Sequence, residues 1–325
     1  TMIAIVFGLT LANVVRPGER ISEAARTELM GQYGATAATN IQRTGEVPTW
    51  WQQGLDMLPG NPFEALAKAQ MLQVIVLSVM IGAALTLIPR EKSAVVVAFF
   101  DALTDAIVQL VNLVMRMAPV AVFALVVPAI ALVGLQVLGA LAVYSAVLVT
   151  GLAAVLFGVY PLCLKLMAGV GYARFFKGMA PAMLTAFSSS SSNATLPVTM
   201  ECTQVRLGVS ERITSFVCPL GATINMAGTA MYQGIAAVFI GQMYGLDLSI
   251  GQQATIVVMA TLAAIGTPGI PGAGVVMLVV VLQQVGVPAE GIAVILGVDR
   301  LLDMCRTVVN IAGDSMTAVC VAIGP

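Results

Sequence analysis

Apolar residues in this chain run in long blocks rather than in the short alternations of a water-facing domain. Residues 1–15 (TMIAIVFGLTLANVV) are apolar but shorter than the roughly 20 residues a spanning helix needs, and they read as the second half of one. Residues 71–89 are nineteen uncharged residues that end at Pro89 before Arg90-Glu91-Lys92, which predicts one span and a polar stop. No charge occurs from Met117 to Leu164, too long a run for one helix, and Gly134 to Gly139 supplies a break between two spans. Between these blocks, residues 16–56 carry nine charges and the turn signals Arg16-Pro17-Gly18 and Val47-Pro48. We read an extramembrane loop over 16–61 with a short amphipathic piece around 20–30. Trp50 and Trp51, the two tryptophans of the chain, sit where it re-enters the headgroup region as interface anchors. Residues 165–177 (KLMAGVGYARFFK) hold three basic residues and no acid, which reads as a cytoplasmic loop.

The second half is patterned differently. Residues 213–246 and 248–289 are also free of charge, yet Gly, Pro, Ser, Thr and Asn interrupt them in mid-run. Backbone that leaves the helix at membrane depth exposes N–H and C=O groups, tolerated only where protein or a water-filled cavity satisfies them. Such paired interruptions mark the binding centre of many secondary transporters.

Composition agrees with lipid as the solvent. Of 325 residues 59% are hydrophobic and 10% charged, against about 25% charged in soluble domains. A net charge of −1 provides no footprint for nucleic acid. The absence of histidine removes Ser–His–Asp and Cys–His catalysis and most zinc sites. Cys163, Cys202, Cys218, Cys305 and Cys320 form no CxxC pair and read as buried free thiols.

Four constellations could carry chemistry. Ser188 to Ser192, then Asn193-Ala194-Thr195-Leu196-Pro197, lies in a stretch without charge from Met179 to Met200. A serine run is often a flexible linker; between apolar arms it fits a helical hairpin whose polar tip could hold a carboxylate. Gly266-Thr267-Pro268-Gly269-Ile270-Pro271-Gly272-Ala273-Gly274 lies between apolar arms of about a dozen residues each. Each arm spans about half a membrane, so a re-entrant hairpin competes with a glycine-kinked pair of ordinary helices. Asn225-Met226-Ala227-Gly228-Thr229 suggests local unwinding that frees carbonyls for a cation, with a helix–helix contact as the plain alternative.

The strongest is the last apolar run. At 100° per residue Asp299, Asp303, Arg306, Asn310 and Asp314 fall on one stripe. Each charge costs about 2.5–3.5 kcal/mol at mid-membrane, so the stripe must face partners rather than lipid. Asp303 can pair with Arg306 at helical spacing, and Arg300, off the stripe, can partner Asp299. Structural pairing alone leaves Asn310 and Asp314 unexplained. A buried guanidinium receives a carboxylate, an ionised Asp an ammonium, and a second carboxylate with free carbonyls an alkali cation. The stripe therefore asks for an acidic amino acid with sodium or a proton.

These motifs, in this order, resemble the dicarboxylate/amino acid:cation symporter family, the glutamate transporter homologues, most specifically in SSSNATLPVTM, PLGATINMAGTAMYQG, IGTPGIPGAG and GVDRLLDMCRTVVNIAGD. The resemblance implies an all-α integral membrane protein with two re-entrant helical hairpins, inverted repeats and an elevator-type mechanism. It also implies a homotrimer in the cell membrane, in prokaryotes the inner membrane, in contact with lipid. By that likeness the first two spans and the start of the third precede Thr1. Residues 1–15 and 141–325 would be the transport domain, with hairpin 1 about 179–205, a broken helix 213–246, hairpin 2 about 250–287 and the last helix 291–323; residues 62–140 would be scaffold.

Carried over by position, Ser191, Ser192, Asn193, Met226, Thr229, Gly269, Ile270, Gly272, Asp303, Arg306, Thr307 and Asn310 would bind substrate, Arg306 taking its side-chain carboxylate and Asp303 its amino group. Gly221, Asn225, Asn310 and Asp314 would form one Na+ site, and Thr223, Met226, Ile265 and Thr267 a second. Ala227 stands where the family has an acid of a third site, which puts that site in doubt. Ser190 and Met304 stand where the family places an extra arginine, and Ala264 where it has a hydroxyl. Alternatives are a C4-dicarboxylate carrier, a channel-like pathway, and an intramembrane hydrolase that lacks a base. No enzymatic activity is expected.

Overall fold

The computed structural model describes residues 1–20, 60–67, 71–115, 117, 120, 123 and 136–323, so the Trp50–Trp51 anchor, the amphipathic piece and most of the 16–61 loop lie outside the described residues. Among the described residues every regular element is helical. The chain divides into two compact units, Thr1–Thr44 with Leu125–Pro325, and Gly45–Ala124.

The smaller unit holds α2 (Pro62–Ala67), α3 (Met71–Leu87) and α4 (Arg90–Met115). Its α3 is the predicted 71–89 span. The polar triad Arg90-Glu91-Lys92 does not merely stop it: the chain turns at Ile88–Pro89, whose carbonyl accepts from Lys92 and Ser93 N–H groups, and the triad opens α4. Val79, Leu87, Val95, Phe99 and Leu110 are each 60% or more exposed on this single chain. A water-facing unit would not leave so many large apolar side chains uncovered.

In the larger unit α1 (Met2–Val15) runs into a 3₁₀ turn, Pro17–Arg20. The predicted loop starts later than Arg16, since Pro17 and Gly18 are buried and Gly18 N donates to Gln242 Oε1. Next described is α5 (Gln136–Ala154), prolonged to Ala168 through the turns Val155–Val159, Tyr160–Cys163 and Leu164–Ala168, the first and last of them π-helical. It begins at Gln136, within the predicted Gly134–Gly139 break, whose first residues lie outside the described ones. The predicted loop 165–177 is also mostly helix, with a turn confined to Gly169–Gly171.

The remaining elements are α6 (Tyr172–Ser189), α7 (Ser192–Glu201), α8 (Glu211–Ile224), α9 (Ala227–Met243), α10 (Ile250–Gly266), α11 (Ala273–Val285) and α12 (Ile292–Ile323). Helix α9 is the centre of the unit, with all its residues buried beneath α1, α5, α10, α11 and α12. Its sequence is mostly apolar or small, as suits a helix covered on every side, and its buried Gln233 and Gln242 donate to Gly274 O and Ala12 O. Helix α12 packs against α6, α8, α9 and α5.

Two helix pairs form hairpins. Helices α6 and α7 meet at Ser190-Ser191, where Ser190 is left-handed (φ 54°) and the Ser191 side chain caps α7 by accepting from Ala194 N. Helices α10 and α11 meet through the Gly/Pro tip; Ser249 and Gln252 form a capping box at the start of α10, and Gly272 (φ 77°) turns the chain into α11. The arms of 17 and 13 residues are longer than read from sequence, about 25 and 20 Å at 1.5 Å per residue. Between α8 and α9 the helix is interrupted at Asn225 (φ −103°, ψ 64°) and Met226 (φ −97°, ψ 60°), as the Asn-Met-Ala-Gly motif predicts. Among the described residues two helical stretches, Met2–Arg20 and Leu138–Ala168, are long and apolar enough to cross a membrane.

Candidate functional site

The interruptions converge. One small cavity is lined by Ser190 and Ser192 of the first tip, Thr267 to Ile270 and Gly274 of the second, Met226 and Thr229 at the break, and Asp303, Thr307 and Asn310 of α12. Its space is about 10 Å³, room for one water molecule. The two tips close it by touching. Gly269 O accepts from Ser191 Oγ at 2.6 Å and from Asn193 N at 3.1 Å. A Cβ on Gly269 would lie 2.5 Å from Asn193 Oδ1, so only glycine permits this approach. From the other end Gly272 N donates to Asp303 Oδ2 at 3.0 Å.

The charged stripe of α12 faces inward throughout: Asp299, Asp303, Arg306, Asn310 and Asp314 are all buried, and Arg306 is wholly so. Arg306 Nη2 lies 3.0 Å from Asp299 Oδ1 and 2.9 Å from Asp303 Oδ1. Its guanidinium sits 3.7 Å above the Tyr232 ring. The expected pairing of Arg300 with Asp299 is therefore wrong. Arg300 is exposed; residues adjacent in a helix diverge by 100°, while positions 299, 303 and 306 share a face. The guanidinium nitrogens and Asp299 Oδ1 make no aligned hydrogen bond, so charge and ring stacking hold the group rather than a directed fork. An arginine bound in that way keeps its donor directions available.

Asn310 joins α12 to the break: its Oδ1 accepts from Gly228 N at 2.8 Å and its Nδ2 donates to Thr229 Oγ1 at 3.1 Å. Thr307 Oγ1 is turned back to Asp303 O. One turn further on, Asp314 is 1% exposed, with Asn225 Nδ2 at 3.2 Å as its side-chain donor. Gly221 passes so near that a Cβ there would lie 2.4 Å from Asp314 Oδ1. Gly221, Asn225 and Asp314 thus come together as one group, with Asn310 one turn away on α12.

The second set expected to hold a cation is divided. Met226 and Thr267 line the cavity, whereas Thr223 and Ile265 do not. Thr223 is exposed and its hydroxyl bonds the carbonyls of Pro219 and Leu220; the Thr267 hydroxyl bonds Ala263 O. Both hydroxyls are spent within their own helices, which leaves main-chain carbonyls as the usable ligands.

Ser190, Pro268, Gly274 and Tyr232 were not among the residues expected to bind. Ser190 lines the cavity with a buried, unpartnered Oγ; its place in the serine run was the available signal. Gly274 is walled by Thr229, Arg306 and Tyr232. Tyr232 carries the arginine, and its position three residues after Thr229 on α9 puts both on one face.

The sodium:dicarboxylate symporter family matches residues 1–323. The chain is 37% identical over 321 residues to the proton/sodium-glutamate symport protein of Bacillus subtilis (strain 168), covering 98% of this chain and 73% of that protein. It is 34% identical over 325 residues to the proton/glutamate-aspartate symporter of Escherichia coli (strain K12), again covering 73% of the relative. It is 47% identical over 226 residues to excitatory amino acid transporter 3 of Mus musculus, of which it spans 43%.

Proposed function

Because the chain belongs to the sodium:dicarboxylate symporter family, we propose that it is a carrier, not an enzyme, that moves an acidic amino acid through the membrane together with sodium or protons. The observation that carries this reading is Arg306: a fully buried guanidinium beside the cavity, with Asp299 and Asp303 on one side and the Tyr232 ring beneath. The bacterial relatives are named for proton/sodium-glutamate and proton/glutamate-aspartate symport, which fits the same chemistry.

The proposed cycle starts from the closed tips. A cavity of about 10 Å³ does not admit an amino acid, so the second tip withdraws first, breaking the two hydrogen bonds to Gly269 O and the Gly272 N–H bond to Asp303. The substrate side-chain carboxylate then takes over from the acids as partner of Arg306. Asp303, released from both Arg306 and Gly272, receives the substrate ammonium. The main-chain carboxylate meets Asn310 and the N–H groups and hydroxyls of the first tip, Ser191 to Asn193, and the second tip closes with Ile270 against the ligand. The substrate adds a net charge of −1 to two acids and one arginine, an excess that the accompanying cations offset, as low-dielectric surroundings demand.

One cation is carried at Asp314 with carbonyl oxygens of Gly221, Asn225 and Asn310. A second sits among carbonyls of Thr223, Met226, Ile265 and Thr267 and is completed when the second tip closes. A third has lost its acid at Ala227, which is 3% exposed in the first turn of α9. In the assembly we infer three subunits, with 62–140 as scaffold and 1–15 with 141–325 as the moving part of an elevator. The large apolar side chains exposed on α3 and α4 supply surface for lipid and for neighbouring subunits.

Purified protein in liposomes is expected to accumulate aspartate or glutamate under an inward sodium or proton gradient. Absence of concentrative uptake under both gradients refutes the proposal, and stronger competition by succinate or malate than by aspartate reassigns it to C4-dicarboxylates, for which Asp303 has no ammonium to meet. From Ala227, a reversal-potential titration is expected to give no more than two cations per substrate; three would refute the reduced set.

A further inference from the structure

Tyr160 lies where the helix carrying α5 runs between its two π turns, far in sequence from every residue assigned above. It is 5% exposed, and its hydroxyl has no hydrogen-bond partner. Buried tyrosine hydroxyls usually find one, so the direction in which this one points is informative. It points at α12. A Cβ built on Gly313 would lie 2.7 Å from Tyr160 Oη and 2.9 Å from Asn225 Nδ2, the same amide that donates to Asp314 at 3.2 Å. Gly313 directly precedes Asp314. Two positions without a side chain, Gly221 and Gly313, therefore flank the Asp314–Asn225 pair, and the phenol forms the wall beyond the second.

We propose that Tyr160 Oη is a further ligand of the cation held at Asp314, and that the gap kept by Gly313 sets which alkali ion fits. The proposal rests on the cation-coupled reading above and adds a residue to that site. A neutral phenol oxygen offers lone pairs to a hard cation without adding charge, as suits a site that already has one carboxylate. With the ion present the phenol proton turns away from it, and the orphaned oxygen acquires its partner. The π turns on either side of Tyr160 shift its register on α5, and such bulges are frequent at functional sites.

The test is a thermal-shift and aspartate-binding titration in NaCl, LiCl and KCl on the full chain, with Tyr160→Phe and Gly313→Ala. Tyr160→Phe keeps the ring and its packing. It is expected to raise the sodium concentration for half-maximal stabilisation by about tenfold, the scale seen when a supporting group of a metal site is removed. It is also expected to shift the lithium-to-sodium preference, while leaving the cation-free melting temperature and aspartate affinity at saturating sodium unchanged. Gly313→Ala should act in the same direction. If the parent protein responds to sodium and Tyr160→Phe responds identically, the ligand assignment fails and the cation reading stands. If Tyr160→Phe lowers the cation-free melting temperature by as much as it lowers the sodium-bound one, the phenol is merely structural. A parent protein indifferent to all three ions overturns both readings.

Discussion

Arg306→Lys is expected to reduce transport of aspartate and glutamate sharply while leaving the protein folded. Lysine retains the charge that Asp299 and Asp303 need but loses the planar fork that receives a carboxylate on two nitrogens. A hydrogen bond to a charged group is worth about 1.5–3 kcal/mol, so at about 1.4 kcal/mol per decade affinity should fall roughly 10- to 100-fold and uptake at low substrate with it. Arg306→Ala is a poorer probe alone, because it strands two buried carboxylates and should also destabilise the fold by about 3–5 kcal/mol. Pairing it with Asp299→Asn removes one of them and separates the two effects. Uptake of radiolabelled aspartate, normalised to the amount of folded protein, decides. Wild-type uptake in Arg306→Lys would show that the guanidinium is a structural strut and not the substrate's partner.

Asp314→Asn is expected to free the protein from its dependence on cations. The carboxylate is 1% exposed and its side-chain donor is the single amide of Asn225. An ion in such surroundings carries a desolvation penalty of several kcal/mol, which a bound cation offsets and a neutral amide never incurs. For the parent protein, sodium at a hundredfold excess over its dissociation constant should add about 2.7 kcal/mol of stability. In Asp314→Asn most of that increment should disappear, and the cation-free melting temperature should rise. Coupled uptake would be lost while substrate-independent stability improved, a combination that general misfolding does not produce. An unchanged sodium response would move the cation elsewhere.

Much of this site is legible from sequence because it is built on one helix. The 3.6-residue period alone places Asp299, Asp303, Arg306, Asn310 and Asp314 on a common face, and membrane energetics say that the face must be inward. The tips and the α8–α9 break announce themselves through Gly, Pro, Ser and Asn in apolar runs. What remained hidden came from elsewhere in the chain. Tyr232 and Tyr160 reach α12 from α9 and from the prolonged α5, and no local spacing reveals a partner across helices. The Arg300–Asp299 pairing failed by favouring nearness in sequence over helical direction. The misreading of 165–177 had a related cause: basic residues mark the water-facing end of a helix as readily as a loop.

The contact between the tips uses a main-chain oxygen, Gly269 O, as acceptor for two donors of the first tip. The two tips are therefore constrained unequally. The first must retain a hydroxyl at Ser191, whereas the second needs a backbone path, held by a side-chain-free Gly269 and a left-handed Gly272. Ile270, between those glycines, takes no part in the hydrogen bonds that join the tips.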